Sequence, residues 1–335
     1  MESLISTIFS LLLLFGSTLG GRYKATKNAL ENDVSSTIIV DKSGRGNFTT
    51  VQRAIDSVPP NNSLWIRILL KPDVYTEKVM IPKEKPYIVL EGDPKFPATI
   101  EYGDAGSVIG SPTFKLFADN FVARSIIFKN SYDHLILPDP NGSKTTWAPA
   151  ILISGDKASF HHCSFISLQD TLTDDGGRHY FYDCFIEGAI DFIWGNGQSI
   201  YEKCQIFSIT DRIGITGFIT AQGRGAANET TGFVFKDCYV NGTGTTFLGR
   251  PWRPYSRVLF ASTFMENIIT PEGWSPWPPA PVDSVAFSEA NCQGPGANLS
   301  GRVPWEKKLS DEEVAYFTNP ASFIDQEGWL RSQPN

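Results

Sequence analysis

Cysteines recur at nearly equal intervals along the middle of the chain. Cys163 and Cys184 are 21 residues apart, Cys184 and Cys204 are 20 apart, and Cys238 follows 34 residues later. Each lies within a similar segment of alternating apolar residues, as in ASFHHCSF, RHYFYDCF, QSIYEKCQIF and TGFVFKDCYV. A period near 20 residues that contains only short strands is typical of a solenoid, in which every coil adds one rung to parallel sheets. The longer third interval predicts a loop inserted in that coil.

The rest of the chain fits the same architecture. Short β-branched and aromatic runs, such as 37–40, 65–70 and 121–128, are separated by Gly, Asn, Asp or Pro. A helical period of 3.6 appears only at 50–58 and around 311–317. A leucine-rich repeat would need a ladder of Leu and Asn, and a sandwich would not space its cysteines evenly. We therefore predict an all-β fold, a single right-handed parallel β-helix over roughly residues 37–300 with short capping helices.

The N-terminus predicts export. The apolar run Leu4–Phe15 is too short to span a bilayer and is followed by small residues, as in a signal peptide. We expect a signal peptide at 1–21, a flexible arm at 22–36 and one catalytic domain at 37–335. Six N-x-S/T sequons agree with a secreted glycoprotein: Asn47, Asn61, Asn141, Asn228, Asn241 and Asn298.

Charge narrows the choice of partners. The 335 residues carry a formal net charge of −7, with a sequence pI near 5.2. This balance argues against a protein that binds nucleic acid or an anionic membrane. No later segment is long and apolar enough to be a membrane span. The sequence therefore predicts a soluble, extracellular monomer.

The repeat also places the cysteines beside one another. Residues one period apart lie on neighbouring rungs, about 4.8 Å apart, which is within the Cα separation that a disulfide tolerates. Cys163, Cys184, Cys204 and Cys238 are therefore expected to stack, either as disulfides or as buried thiols. Spacing alone does not choose between these alternatives.

Two aspartates are separated by the same interval as Cys163 and Cys184. Asp170 and Asp191 are 21 residues apart and lie inside apolar strands rather than in Gly- or Pro-containing turns. Two carboxyl groups about 5 Å apart raise the pKa of one of them, which yields a protonated acid beside an ionised base or nucleophile. The spacing thus predicts an acid–base pair. The neighbouring Asp174 and Asp175 are interpreted as a turn before two glycines.

Three phrases make a family resemblance specific. LQDTL (168–172), GAIDFIWGN (188–196) and LGRPW (248–252) resemble the plant pectin methylesterase family, and similar phrases extend over about 290 residues. The resemblance implies a right-handed β-helix that removes methyl esters from the galacturonate of pectin, in the cell wall and without a metal or cofactor. It also implies a proteinaceous inhibitor as a partner. No inhibitor-like pro-region precedes Thr37, so the chain is similar to the short type.

The resemblance also assigns roles to residues. Asp191 matches the nucleophile, Asp170 the general acid/base, Gln169 an oxyanion donor, and Arg250 the cation that holds Asp191 ionised. Tryptophans would form the floor on which sugar rings stack: Trp252, with Trp274 or Trp277. The family disulfide would map to Cys204–Cys238, with Cys163–Cys184 as a second pair and Cys292 alone.

The chain departs from the family pattern at two predicted substrate contacts. Trp147 stands where a second oxyanion glutamine is usual, and Thr173 stands where an aromatic residue is usual. The loop between Asn130 and Trp147 differs as well. Losing one oxyanion donor costs about 3 kcal/mol. The alternative to an active esterase is therefore a weak or inactive wall-polysaccharide-binding protein. A polygalacturonase is disfavoured because its NTD and GHG phrases are absent. A calcium-dependent lyase is disfavoured because no group of carboxylates clusters with a basic residue in the sequence.

Overall fold

The computed structural model describes residues 34–132, 147–277 and 282–334. The predicted signal peptide, most of the predicted arm, the divergent part of the loop at 133–146 and the sequon Asn141 lie outside these residues. Ser36, which was assigned to the arm, begins the first strand, and the Ser35 amide donates to the Trp65 carbonyl at 2.8 Å. Among the helices of the described ranges, none is long and apolar enough to cross a membrane.

Short strands make up most of the described chain. Up to residue 130 they are β1 (Ser36–Val40), β2 (Ile66–Leu70), β3 (Val74–Thr76), β4 (Val79–Ile81), β5 (Ile88–Glu91), β6 (Ala98–Tyr102), β7 (Phe114–Leu116), β8 (Phe121–Arg124) and β9 (Ile126–Asn130). From residue 151 they are β10 (Ile151–Ile153), β11 (Ala158–His161), β12 (Ser164–Ile166), β13 (Leu172–Asp174), β14 (Arg178–Tyr182), β15 (Phe185–Gly188), β16 (Ile190–Gly195), β17 (Gln198–Glu202), β18 (Gln205–Ile209), β19 (Gly217–Gln222), β20 (Gly232–Lys236), β21 (Tyr239–Thr243), β22 (Thr246–Gly249), β23 (Arg257–Ala261), β24 (Phe264–Met265) and β25 (Ala286–Ala290).

These strands form three parallel sheets, and each coil gives one strand to each sheet in turn. Sheet A has the order β1-β2-β5-β8-β11-β14-β17-β20-β23-β25, sheet B runs from β3 to β24, and sheet C has the order β4-β7-β10-β13-β16-β19-β22. Parallel strands joined by crossovers are right-handed in nearly all proteins. The predicted right-handed parallel β-helix is confirmed.

Aromatic side chains stack through the interior of the coils. The rings of Phe160, Phe181, Tyr201, Phe235 and Phe260 stack one on the next at centroid distances of 5.0, 4.4, 4.6 and 4.4 Å, with their planes nearly parallel. All five residues are fully buried. Because each ring occupies the same place in its coil, the 20-residue sequence period becomes a column of rings one rung apart.

The cysteines occupy equivalent turn positions between sheets A and B. Strand register places Cys163, Cys184, Cys204 and Cys238 on consecutive rungs. The expectation of disulfides is corrected, since all five cysteines, Cys292 included, are free thiols in this structure. The Cys238 thiol, for example, donates to the Tyr201 carbonyl at 3.3 Å. Burial raises the pKa of the Cys163, Cys184 and Cys204 thiols well above its usual range.

Helices lie at the two ends of the chain, as the 3.6-residue periods predict. They are α1 (Val51–Ser57), α2 (Asp311–Thr318) and α3 (Pro320–Phe323). The Glu77 carboxylate accepts hydrogen bonds from the first amides of α1, Val51 and Gln52, at 2.8 and 2.9 Å. Helix α2 begins with a reciprocal capping box between Ser310 and Glu313. Charged and polar side chains therefore fix both caps.

Candidate active site

The two aspartates of the predicted pair lie on adjacent rungs beside sheet C. Asp191 is in β16, as expected, but the expectation of a strand is wrong for Asp170, which lies at a bend two residues before β13. Gln169 bridges to Ile190, and the Asp170 amide donates to the Ile190 carbonyl at 3.1 Å. One rung step therefore joins Asp170 to Asp191, and the pairing of Leu172 with Ile193 continues the same register. The 21-residue spacing in the sequence thus becomes a direct neighbour relation in the fold.

Both aspartates adopt a left-handed backbone. The φ of Asp170 is 59° and that of Asp191 is 47°, and the β16–β19 pairing shifts register between Ile190 and Ile193. Aspartate tolerates this conformation better than most residues, although the conformation still costs free energy. Such irregularity next to a cleft is a common means of aiming a side chain.

Both side chains open onto one cavity of about 340 Å³. Asp170 and Asp191 themselves are only 5% and 7% exposed. A half-enclosed apolar pocket around a few convergent polar groups is the usual form of a ligand site. The remaining lining residues are Val108, Trp147, Gln169, Trp194, Ala221, Arg250, Trp252 and Trp277.

Arg250 binds one of the two carboxylates. Its Nε donates to Asp191 Oδ1 at 2.9 Å and its Nη2 donates to Asp191 Oδ2 at 2.6 Å. This fork matches the carboxylate geometry, and a charge-assisted bidentate pair is among the strongest side-chain interactions. The predicted contact between Arg250 and Asp191 is therefore present in the structure.

The contact with Arg250 makes the two aspartates electrostatically different. Burial raises the pKa of Asp170 well above its usual range, and the nearby charge of Asp191 raises it further. Burial also raises the pKa of Asp191, but the hydrogen bonds and positive charge of Arg250 oppose that rise. Burial and the neighbouring charge thus both favour the neutral form of Asp170, whereas Arg250 favours the anion of Asp191.

Two glycines let the backbone place Arg250 and Trp252. A Cβ on Gly249 would lie 1.9 Å from the Thr220 hydroxyl oxygen, so only glycine permits this approach, and the Arg250 amide donates to the Thr220 carbonyl at 2.9 Å. A Cβ on Gly223 would lie 2.6 Å from the Trp252 ring. The LGRPW phrase therefore packs against the segment TAQGR (220–224) at the cavity wall.

The structure brings together some of the predicted substrate contacts and separates others. Trp147 and Trp252, each 38% exposed, line the cavity with Trp277. Trp274 is fully buried, with its ring 4.5 Å from that of Phe287, so it is a core residue rather than a sugar platform. The prediction that Thr173 contacts the substrate is also wrong, because Thr173 is 1% exposed and is not among the residues that line the cavity.

Sequence reasoning missed Trp194 as a cavity residue. It lies three residues after Asp191, pairs with Thr173 across β13–β16, and meets Trp252 edge-on at a centroid distance of 5.2 Å. The sequence signal that could have identified Trp194 is its position 21 residues after the small Thr173, which places the two side by side on neighbouring rungs. Trp194 therefore adds to the aromatic wall of the cavity beside Trp252.

Asp174 was interpreted as part of a turn, and this is wrong. It ends β13 and is fully buried. His179 Nδ1 lies 2.6 Å from Asp174 Oδ1, and the Tyr201 hydroxyl donates to Asp174 Oδ2 at 2.7 Å. Burial alone would lower the pKa of His179, but the charge and hydrogen bond of Asp174 outweigh it and the pKa is raised. The fold therefore contains a second buried carboxylate cluster.

Comparisons with known proteins agree with the geometry. The pectinesterase family profile matches residues 37–327. The Arabidopsis thaliana protein named "Probable pectinesterase 29" is 47% identical over 300 residues, which is 89% of each chain. The structure of a pectin methylesterase from carrot superposes with a TM-score of 0.80 at 30% identity, covering 88% of this chain and 95% of that one. A pectin methylesterase solved with a hexasaccharide has a TM-score of 0.71 at 25% identity, covering 88% and 98%.

Proposed function

Because this chain belongs to the pectinesterase family and hydrolyses the methyl esters of pectin, we propose that Asp191 is its nucleophile and Asp170 its general acid and base. The observation that carries the proposal is the one-sided contact of Arg250, which binds Asp191 in a bidentate manner. An ionised carboxylate and a protonated one then stand side by side in the same cavity. Acyl transfer needs that combination.

The first half-reaction transfers the acyl group to the protein. An Asp191 carboxylate oxygen attacks the ester carbonyl carbon, and the resulting tetrahedral intermediate collapses with cleavage of the bond to the methoxy oxygen. Asp170 gives its proton to that oxygen, so methanol leaves as a neutral molecule. The products of this step are an anhydride between galacturonate and Asp191, and an ionised Asp170.

The second half-reaction restores both groups. Asp170, now a carboxylate, takes a proton from a water molecule that attacks the galacturonate carbonyl. The bond to Asp191 breaks and its carboxylate returns to Arg250, while the new galacturonic acid loses its proton to solvent. One proton therefore shuttles between Asp170 and the reacting oxygens in each turnover.

Gln169 and Trp147 are proposed to meet the oxyanion. Gln169 is 6% exposed and lines the cavity beside Asp170, and an amide donor at this position would stabilise the developing negative charge. Trp147 occupies the place of a second donor in the sequence, and its indole N–H is the only donor its side chain offers. We propose that Gln169 supplies most of the stabilisation.

The cavity favours a methylated chain over a free-acid chain. Its lining contains four tryptophans, Trp147, Trp194, Trp252 and Trp277. Among the lining residues that the structure describes, Arg250 is the one cation, and its fork is committed to Asp191. Neutral methyl-galacturonate units therefore suit these walls better than anionic ones, in agreement with the net charge of −7.

We also propose that the protein is secreted to the cell wall as a monomeric glycoprotein, and that a proteinaceous inhibitor is one of its partners. The apolar leader supports the first part, and pectin is a wall polysaccharide. Among the sequons within the described ranges, four asparagines are exposed and Asn241 is half-buried. The exposed ones are Asn47, Asn61, Asn228 and Asn298.

Methanol release from highly methylated pectin tests the assignment of Asp191. Wild-type protein should release methanol, and Asp191→Ala should reduce the rate at least about a thousandfold because the nucleophile is removed. Asp237→Ala is the matched control, since Asp237 has a similar left-handed φ of 53° but is exposed on a turn away from the cavity.

Full activity in Asp191→Ala would overturn the assignment. Pectin binding by the wild type without methanol release at any pH would instead favour the polysaccharide-binding alternative.

A further inference from the structure

Two aromatic rings flank the Arg250 guanidinium. Its central carbon lies 4.0 Å from the ring centroid of Phe218 and 4.0 Å from that of Trp277. The N–H groups of the same guanidinium hold Asp191. The edge of the cation is therefore occupied by the carboxylate, while its faces are covered by rings, an arrangement that suits planar arginine and would not suit lysine.

The two rings differ in their relation to the cavity. Trp277 lines the cavity, whereas Phe218 does not. Phe218 lies in β19, one rung beyond Ile190 and so beside Asp191, and it is half-buried. Any effect of Phe218 on the reaction must therefore pass through Arg250 rather than through contact with the substrate.

A second ring keeps Phe218 in place. Phe247 is its cross-strand neighbour in β22, and the two rings are stacked at a centroid distance of 5.5 Å with an angle of 10° between their planes. Phe247 precedes Arg250 by three residues in the FLGRPW phrase. The described cation–π contacts of Arg250 are with Phe218 and Trp277, so Phe247 acts as support only.

We propose that Phe218 is a positioning residue for ester hydrolysis, which holds the Arg250 guanidinium in the plane that the Asp191 carboxylate requires. The inference rests on the function proposed above. Arg250 remains partly open to solvent, with 24% of its side chain exposed. Without the Phe218 ring, water would reach one face of the cation and the side chain would gain alternative rotamers, which weakens the fork with Asp191.

The electrostatic consequence has a definite sign. The titratable groups that face Asp191 in the described chain are Arg250, which favours its anion, and Asp170, whose own pKa is raised by burial and by the charge of Asp191. A looser Arg250 would favour the anion less, so the pKa of Asp191 would rise. The acid limb of the kcat/KM profile reports ionisation of the nucleophile in the free enzyme and would move to higher pH.

The test compares Phe218→Leu with Phe247→Leu. Both remove a ring from the same stacked pair, but of these two rings Phe218 is the one with a described cation–π contact to Arg250. We expect Phe218→Leu to lower kcat about tenfold with KM unchanged and to shift the acid limb to higher pH, and Phe218→Tyr to restore both. Phe247→Leu should lower the melting temperature and leave the acid limb in place.

Two results would overturn the inference. One is a Phe218→Leu protein with an unshifted acid limb and a loss of stability equal to that of Phe247→Leu, which would make Phe218 a packing residue. The other is a raised KM with unchanged kcat, which would make it a substrate contact. A ¹³C titration of the Asp191 carboxyl group in Phe218→Leu tests the inference without measuring turnover. The raised pKa of Asp191 would be visible even if the wild-type protein released no methanol and the proposed function failed.

Discussion

The β-helix contains two buried carboxylate clusters only a few residues apart, and they are used in opposite ways. Asp174 is fully buried, and its two oxygens meet His179 at 2.6 Å and Tyr201 at 2.7 Å. Asp191 is also buried but faces a cavity, and among the described side chains its hydrogen-bond partner is Arg250. Asp170 beside it has its pKa raised by burial and by the charge of Asp191. Complete pairing stabilises a fold, whereas incomplete pairing at a cavity leaves a carboxyl group available for reaction.

The largest expected difference between the clusters appears when Asp170 loses its acidity. Asp170→Asn keeps the size of the side chain and tolerates the left-handed backbone, but it cannot give or take the proton. We expect the rate of methanol release to fall by about 10² to 10⁴. Asp237→Asn, at a similar φ on an exposed turn, should leave the rate unchanged.

The same variant should be more stable than the wild type. An aspartate with a raised folded-state pKa binds its proton more tightly in the folded protein, so the wild type loses stability as pH rises from about 3.9 toward that raised pKa. Asparagine has no such loss, and the gain in melting temperature should therefore grow with pH over this window. A variant that is less stable than wild type at pH 7 would contradict the raised pKa of Asp170.

Asp174→Asn should have the opposite effects, a loss of stability with little change in activity. Removing the charge from a buried pair leaves His179 without its counter-ion, at a cost of about 3 kcal/mol. Because the pKa of His179 is raised, the lost stabilisation is fully present below about pH 6.5 and disappears as pH rises through the folded-state pKa. Urea unfolding at several pH values measures this cost.

The activity of folded Asp174→Asn protein, per molecule, should stay close to that of the wild type. A loss of kcat as large as that of Asp170→Asn would instead place Asp174 in the catalytic machinery and remove the distinction between the two clusters.

The smallest expected effect comes from substitutions at Trp147, which test whether this residue donates a hydrogen bond to the oxyanion. Trp147→Gln restores an amide donor at the cavity, and we expect kcat to rise about tenfold, less than a fully formed oxyanion donor supplies. Trp147→Phe keeps the aromatic wall and removes the N–H. A fall in kcat in Trp147→Phe with no gain in Trp147→Gln would show that the indole N–H already serves as the donor.

The sequence was sufficient for the features that depend on the repeat. A period of 20 to 21 residues predicted the β-helix and the adjacency of Asp170 and Asp191, because a rung converts sequence distance directly into spatial distance. Features that depend on side-chain direction were not accessible in this way. The segment GWSPW (273–277) does not distinguish Trp274 from Trp277 as the tryptophan on which a sugar ring stacks. The fold does so, because Trp274 packs on Phe287 in the core.

Asp174 illustrates the same limit. Its neighbours Asp175, Gly176 and Gly177 are typical of a turn, and a turn does follow, but β13 extends far enough to bury Asp174. Its partner Tyr201 is a full coil away in the sequence, so local composition carries no sign of the pairing. The position of Trp194 beside the small Thr173 likewise follows from a cross-strand contact.

The central claim is that Asp170 and Asp191 ionise differently because Arg250 binds only Asp191. A ¹³C NMR titration of the aspartate carboxyl carbons tests it directly, with the two signals assigned by their loss in Asp170→Asn and Asp191→Asn. The account predicts that Asp170 titrates at a higher pH than Asp191 and well above the usual range of an aspartate. An Asp191 signal that titrates at the higher pH would contradict the assignment of acid and nucleophile.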